Sequence, residues 1–109
     1  MPDRTDSVVV IALFSVTEER CAELFSDLNA LTADHVEHAE GFISSDLYPG
    51  LDGRTVALVA QWASTAAADK AMESAEALEF RRRISPYASF ERRYLSPDKD
   101  RYPRCEEQE

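Results

Sequence analysis

The residue best suited to chemistry is the single tryptophan, Trp62, which ends the apolar segment Thr55–Trp62. Small side chains follow it in the run ASTAAADKAM. A large indole beside small side chains predicts one wall of a pocket. Because tryptophan is highly buried on average in proteins, a purely structural place in the core is the alternative.

The two histidines, His35 and His38, fall at the end of the first predicted helix. His35 continues the apolar stripe of that helix and could point inward, where an imidazole could accept a substrate proton. A structural place near the helix end is the alternative for His35. His38 is expected to face solvent.

Composition excludes several classes of function. The formal net charge is −9 over 109 residues, so there is no basic surplus to neutralise nucleic-acid phosphates. Cys21 and Cys105 have no metal-binding or redox spacing, and no serine or cysteine has a histidine and an acid at a recognisable spacing. We therefore expect no metal site, no nucleic-acid partner and no nucleophilic triad.

The most apolar run, Val8–Phe14, is seven residues long and too short to span a bilayer. Asp3 and Asp6 precede it, where a signal peptide would carry basic residues. We therefore expect a cytoplasmic protein with no membrane partner.

The first half of the chain predicts a strand, a helix and a second strand. Val8–Phe14 is unbroken, apolar and β-branched, which is typical of a central strand buried on both faces. Ser15 and Glu18 fit a capping box, and apolar residues then recur at helical spacing as far as His35. We expect this helix to end before Gly41, which suits a left-handed cap.

The second half begins with Phe42–Tyr48, whose polar middle is typical of an edge strand. A Pro-Gly turn joins it to Thr55–Trp62 in a β-hairpin. Ser64 is predicted to cap the second helix, which continues to Arg83 either unbroken or with a break. Tyr87–Leu95 is the fourth strand.

This order predicts a ferredoxin-like β-α-β-β-α-β fold of the α+β class, a four-stranded antiparallel sheet with both helices on one face. Right-handed crossovers place the first and third strands at its centre. One helix layer covers one sheet face, yet Val8–Phe14 has no polar face, so we expect a homodimer whose sheets pack face to face. Residues 1–95 form this domain, and residues 96–109 form a charged tail that could reach across the dimer.

The pattern resembles the antibiotic biosynthesis monooxygenase family of dimeric α+β barrels from about Val8 to Leu95. The features that carry the resemblance are the apolar first strand, Glu40-Gly41-Phe42 before the second strand, and Gln61-Trp62-Ala63-Ser64 before the second helix. The last is similar to the family's Trp-x-Ser signature. The resemblance implies a small cavity between the helices and the sheet. It also implies oxidation of a polycyclic, polyketide-like aromatic or a quinol by dioxygen, with no metal or flavin cofactor.

The resemblance also implies roles for particular residues. Trp62 matches the tryptophan that lies against the bound aromatic substrate. Arg82 is the nearest match to a family arginine that would stabilise a phenolate or enolate oxygen, with Arg81 and Arg83 as rivals for that role. A solvated helix end is the alternative for each arginine of this run. The family's asparagine and tyrosine are not evident, because Leu58 and Ala68 occupy those regions.

Heme-degrading relatives place a histidine ligand one or two helix turns after the tryptophan. Ala71 and Met72 occupy that region here, and no histidine follows Trp62. Histidine-ligated heme at that position is therefore excluded.

Three functions remain open. The first is a cofactor-independent monooxygenase with Trp62 as platform, an arginine such as Arg82 or else a tyrosine as oxyanion donor, and His35 as the candidate base. The second is a non-oxidative polyketide cyclase or isomerase that uses the same proton removal, and the third is a non-catalytic protein that binds a small aromatic molecule. The residues expected to contact the ligand or close the pocket are Leu58, Met72, Tyr48, Phe80 and Tyr94.

Overall fold

The protein folds into one four-stranded antiparallel sheet with helices on one face, in a computed structural model that describes residues 7–97. The strands are β1 (Val8–Val16), β2 (Phe42–Pro49), β3 (Thr55–Trp62) and β4 (Ala88–Leu95), and the helices are α1 (Cys21–Asp34), α2 (Thr65–Met72) and α3 (Ala75–Ile84). Short 3-10 turns, Glu18–Arg20 and Val36–His38, flank α1. The strand order β2-β3-β1-β4 confirms the predicted ferredoxin-like α+β fold with β1 and β3 at the centre. From residue 98 onward, the predicted tail and Cys105 lie outside the described residues.

β1 is covered on only one face within the chain. The side chains on that face are buried, namely Val8, Val10, Ala12, Phe14 and Val16. On the other face Leu13 is 40% exposed, because successive strand residues point to opposite sides of a sheet. This second face is open within one chain, so the predicted burial of both faces requires the predicted second copy of the sheet and stays a prediction.

The first helix begins later than predicted. Ser15 continues β1, where it pairs with Thr55 on β3 and Ser89 on β4. These ladders on both sides hold its backbone extended, so the predicted capping box does not form. Among the described residues, no side chain caps the 3-10 turn that follows Thr17.

The segment after β3 confirms the predicted cap and a break in the helix. The Ser64 hydroxyl accepts a hydrogen bond from the Ala67 amide at 3.1 Å and so starts α2. Ser74 does the same for α3 through the Ala77 amide at 3.2 Å. Two short capped helices therefore replace one long one, and they bend over the sheet.

The core consists of two clusters that meet across the middle of the sheet. The larger cluster packs α1 and α3 on the sheet around Phe14, which stacks on Phe90 at 5.3 Å between ring centroids. The smaller one packs α2 on Trp62 and its sheet neighbours. Within residues 7–97, no helix is long and apolar enough to cross a membrane.

Candidate functional site

A small enclosed space, here called the inner cavity, lies between the two core clusters. Its volume is about 40 Å³. The lining residues come from the sheet and from all three helices: Ala12, Phe14, Leu28, Leu31, Val36, Leu58, Ala60, Trp62, Ala71, Met72, Ala77, Phe80, Arg81 and Phe90. Its walls are almost entirely apolar, so it favours a planar or aliphatic ligand over a strongly hydrated one.

Trp62 forms one wall of the inner cavity. It is the last residue of β3, only 1% exposed, and its ring meets Phe42 edge-to-face at 5.5 Å. Its indole Nε1 is buried and has no hydrogen-bond partner among residues 7–97. A buried donor without an acceptor costs free energy, which makes it a natural partner for a ligand oxygen.

The start of α2 lies close to the sheet because its residues are small. Ala68 is fully buried in the cluster that contains Trp62. The Ala63 amide, between the tryptophan and the Ser64 cap, donates to the Gly41 carbonyl at 2.7 Å. The Gly-Phe and Trp-x-Ser motifs are thus joined in space and hold the indole in place.

Residues on both sides of the break between α2 and α3, Met72 and Ala77, line the inner cavity. Met72 ends α2, and its carbonyl accepts a hydrogen bond from Arg81 Nη2 at 2.9 Å. Phe80, on the same helix as Arg81, is buried and meets Phe14 edge-to-face at 6.4 Å. One arginine therefore ties the two helices together at the edge of the cavity.

The three neighbouring arginines point in different directions. Arg81 lines the inner cavity, with its Cζ 5.6 Å from the centre of the Phe90 ring. Arg82, the arginine singled out from the sequence, does not line it. Its Nε donates to Glu79 Oε1 at 3.1 Å on the exposed side of α3, and this hydrogen bond raises the pKa of Arg82 and lowers that of Glu79. Arg83 approaches Asp27 at 3.8 Å.

Sequence reasoning favoured Arg82 and kept Arg81 and Arg83 as rivals, and of the three it is Arg81 that lines the cavity. Consecutive helix residues are about 100° apart around the axis, so neighbouring arginines cannot face the same way. The apolar spacing from Phe80 was the signal that could have shown which arginine lies beside the sheet. Phe90 on β4 was missed as a wall residue.

His35 lies outside the inner cavity, in a second depression here called the outer groove. The outer groove has a volume of about 210 Å³ and is lined by Leu31, His35, Val36, Ala39, Ala71, Ser74, Glu76 and Ala77. Leu31, Val36, Ala71 and Ala77 line both spaces. His35 therefore lies in a groove that adjoins the inner cavity and not within the cavity itself.

His35 faces an acid across the outer groove. Its Nδ1 lies 3.9 Å from Glu76 Oε2, and both side chains are about half exposed, at 47% and 48%. The two residues come from the end of α1 and the first turn of α3. Of the two places left open for His35, the inward one is not observed, because the helix ends at Asp34 before its stripe reaches this residue.

The remaining predicted contact residues divide into two groups. Leu58, Met72 and Phe80 line the inner cavity. Tyr48 pairs with Ala57 on β3 and is 55% exposed, so it stands away from the cavity. Tyr94 does not line it either.

Tyr94 links β4 to α2. Its hydroxyl donates to the carboxylate of Asp69. Burial, followed by this hydrogen bond, raises the pKa of Tyr94. The hydroxyl is thus engaged in a tie between two elements.

Comparison with known proteins identifies the family of this fold. A family model described as antibiotic biosynthesis monooxygenase matches residues 7–83. The chain belongs to the antibiotic biosynthesis monooxygenase family. No curated protein matches the chain.

Solved structures share the fold of this family member. PA3566 from Pseudomonas aeruginosa has a TM-score of 0.77 at 19% identity, over 88% of this chain and 98% of that chain. SnoaB, a cofactor-independent oxygenase from Streptomyces nogalater, has a TM-score of 0.67 at 18% identity, over 86% and 95%. A putative antibiotic biosynthesis monooxygenase from Nitrosomonas europaea has 0.71 at 14%, over 87% and 91%. At these identities the likeness shows the fold alone.

The inner cavity of this antibiotic biosynthesis monooxygenase family member is lined by few polar groups. The regions where relatives carry an asparagine and a tyrosine are occupied by Leu58 and Ala68, whose hydrocarbon side chains are buried. Within residues 7–97 no three His, Cys, Asp or Glu side chains are grouped to hold a metal ion. Among the residues that line the cavity, Trp62 and Arg81 are the two whose side chains have hydrogen-bond donors.

Proposed function

We propose that the protein is a cofactor-independent monooxygenase that oxidises a small phenolic aromatic or quinol with dioxygen. The observation that carries this proposal is the apolar inner cavity with a buried, unpaired Trp62 Nε1 in its wall, within the part of the chain that the structure describes. A phenolic oxygen could accept from this indole while the ring lies among the apolar side chains. Membership in the family and the fold shared with SnoaB support the reaction class.

The proposed reaction begins with removal of a proton from the substrate. The electron-rich carbanion or phenolate then reacts with dioxygen at a carbon that carries two hydrogens in its keto form. One oxygen atom becomes a new carbonyl and the other leaves as water, so the substrate itself supplies the electrons. Arg81 is the proposed electrostatic partner of the anion, in place of Arg82, because its side chain lines the cavity.

His35 is proposed as the group that accepts the substrate proton. A base must lie within hydrogen-bond reach of the proton, directly or through one water. His35 lies in the outer groove, so the proton it accepts would come from a substrate hydroxyl that projects from the inner cavity between the residues that line both spaces. The proposed substrate is therefore oriented with one oxygen toward His35.

The size of the inner cavity favours a compact substrate over a polycyclic one. Ligand sites usually measure roughly 300–1,000 Å³, whereas the inner cavity has about 40 Å³ and the outer groove about 210 Å³. Because a cavity that holds benzene measures roughly 150 Å³, even a single-ring substrate would require the inner cavity to widen, and a polycyclic one would require α2 and α3 to separate. The same tightness favours, as the second candidate, a protein that binds a small aromatic molecule without catalysis.

The test is oxygen uptake by chelator-treated protein with hydroquinone, naphthohydroquinone and anthrone. We expect uptake above the autoxidation background, and a loss of about tenfold or more in Trp62→Phe if the indole donor stabilises the anion. Tyr48→Phe, on the exposed side of the sheet, is the matched control and should match the wild type. Product formation without oxygen uptake would support the cyclase or isomerase, and binding without turnover would support the non-catalytic protein.

We also propose that a second copy of the chain covers the open face of the sheet. Ile11 and Val59 pair at its centre, with Leu13 nearby. Glu91 and Arg93 form a 2.7 Å ion pair on the β4 side, and Asp46 lies on the β2 side. A two-fold axis would bring the apolar centres together and keep the charges at the rim.

A further inference from the structure

His35 and Glu76 are held on opposite sides of the outer groove by hydrogen-bonded backbones. The His35 amide donates to the Leu31 carbonyl at 2.9 Å, and the His35 carbonyl accepts from the His38 amide at 3.2 Å. Glu76 lies in the first turn of α3, two residues after the Ser74 cap. The two side chains therefore start from fixed positions and approach each other across the groove, with Nδ1 3.9 Å from Oε2.

His35 and Glu76 have no competing ion-pair partner within residues 7–97. The other ion pairs of this region use different acids and different basic residues. Glu76 also lies at the N-terminal end of a helix, where the dipole favours a negative charge. The carboxylate is thus available to the imidazole as an anion.

The separation of the pair is slightly longer than a hydrogen bond. N–H···O hydrogen bonds measure roughly 2.7–3.2 Å between the heavy atoms, whereas Nδ1 and Oε2 are 3.9 Å apart. Hydrogen bonds between catalytic groups are often long in unliganded enzymes and shorten when the substrate binds. Because both side chains are about half exposed, rotation of either one can close this gap.

Such a hydrogen bond would decide which nitrogen of His35 can accept a proton. A neutral imidazole carries its proton on either Nδ1 or Nε2, and the other nitrogen has a free lone pair. A carboxylate can only accept hydrogen bonds. Contact with Glu76 therefore favours the tautomer with the proton on Nδ1, which leaves Nε2 as the base.

The outer groove can bring a substrate hydroxyl to this pair. Apart from His35, Ser74 and Glu76, its lining is apolar. Its volume of about 210 Å³ exceeds the roughly 150 Å³ of a cavity that holds benzene. The phenolic end of a substrate can therefore enter the groove beside the pair.

We propose that Glu76 is the positioning residue for His35: it holds the proton on Nδ1 and so keeps Nε2 free to accept the substrate proton. This inference rests on the proposed function and names the group that prepares its base. As the substrate O–H bond breaks, the proton moves to Nε2 and the bonding electron pair stays on the substrate oxygen. The resulting imidazolium is stabilised by the Glu76 carboxylate, which remains ionised.

The first test is the tautomer of His35, measured by ¹⁵N NMR of the imidazole nitrogens at about pH 9, where imidazoles are neutral. The chain has only two histidines, so the exposed His38 serves as the reference in the same spectrum. We expect His35 to carry its proton mainly on Nδ1 in the wild type. In Glu76→Gln this preference should fall to the level of His38, because an amide can donate as well as accept. Glu76→Asp, which keeps the carboxylate, should retain part of the preference.

Glu79→Gln is the matched control, since it removes the same charge from the same helix one turn further on, where Glu79 pairs with Arg82. It should leave the His35 tautomer as in the wild type. A wild-type His35 that carries its proton mainly on Nε2 would overturn the proposal even if Glu76→Gln did not fold. Equal changes in Glu76→Gln and Glu79→Gln would also overturn it, because that result indicates a general effect of charge.

Oxygen uptake with hydroquinone tests the role in the reaction and separates this inference from the proposed function. Glu76→Gln should lower kcat at least about tenfold, as part of the roughly 10²–10⁴-fold that general-base catalysis contributes, and leave KM nearly unchanged. Equal uptake by the wild type and Glu76→Gln would overturn the positioning role and leave the monooxygenase standing. A preference for Nδ1 without oxygen uptake on any substrate would support the pair and overturn the monooxygenase.

Discussion

Gly41 and Ala67 are in such close contact that a side chain at position 41 has no room. A Cβ atom placed on Gly41 would lie 2.5 Å from the Ala67 Cβ, and Gly41 also has a φ of +86°. Together with the hydrogen bond from the Ala63 amide to the Gly41 carbonyl, this contact joins the start of β2 to the start of α2. The position of Trp62 depends on that junction, because Trp62 immediately precedes it.

Gly41→Ala should therefore be strongly destabilising, by about 2–4 kcal/mol in the free energy of unfolding, from left-handed backbone strain and overpacking together. Gly53→Ala is the control, because Gly53 has a φ of +70° but a methyl group placed on it would be 3.8 Å from its nearest neighbour, Glu18 Cγ. The control should lose only about 1–2 kcal/mol. Urea unfolding of both variants measures the difference, and equal losses would contradict the contact.

Arg81→Gln and Arg82→Gln test which arginine belongs to the cavity. Arg81→Gln removes the charged hydrogen bond to the Met72 carbonyl, and we expect a loss of about 1–2 kcal/mol in stability and of most of the oxygen uptake. Arg82→Gln removes only an exposed ion pair with Glu79, which is expected to contribute little to stability. Oxygen uptake that falls in Arg82→Gln and persists in Arg81→Gln would contradict the assignment of Arg81.

Met72→Ala should widen the inner cavity and change ligand size preference. Met72 is half-buried and lines the inner cavity. Its truncation should therefore lower the free energy of unfolding by about 2 kcal/mol, at the low end for replacing a buried methionine with alanine. Naphthohydroquinone should gain affinity relative to hydroquinone, as measured by tryptophan fluorescence. Leu78→Ala, which truncates a side chain that is 50% exposed on α3, is the control. The same change in preference in both variants would argue against Met72 as the limit on ligand size.

The sequence predicted the order and type of the elements because each has a strong local signal. The apolar run of β3 and the Ser64 cap placed Trp62 correctly at the end of the strand and just before α2. Local signals could not show that Ser15 pairs with strands on both sides. Those long-range ladders overrode a helix-start pattern that is otherwise reliable.

The site was harder to predict because it depends on where side chains point. Helix ends determine these directions, and α1 ends at Asp34, so His35 faces a groove. The break at Ser74 sets the rotation of α3 and brings Arg81, not Arg82, to the cavity.

Tyr94→Phe should lower stability at neutral pH, and this difference should vanish in alkali. The wild-type hydroxyl donates to Asp69, and burial with this bond raises the pKa of Tyr94. Because the folded state holds the Tyr94 proton more tightly than the unfolded chain does, this group contributes its full stability below the tyrosine pKa of the unfolded chain, about 10. This contribution is lost as the pH rises through the folded-state pKa. Urea unfolding from pH 7 to 11 tests this. A difference that grows with pH would contradict the hydrogen bond.

Ile11→Glu tests whether a second copy covers the open sheet face. Ile11 lies between Val59 and Arg93 in the ladders, so a glutamate there can pair with Arg93 within one chain and leave the monomer folded. In a dimer of facing sheets, the same carboxylate would be buried in the apolar centre, where an unpaired charge is costly. Sedimentation should therefore show a dimer for the wild type and for Leu78→Glu on the exposed side of α3, and a folded monomer for Ile11→Glu. A dimer that is unchanged by Ile11→Glu would place the dimer contact elsewhere on the protein. A monomeric wild type would exclude the dimer.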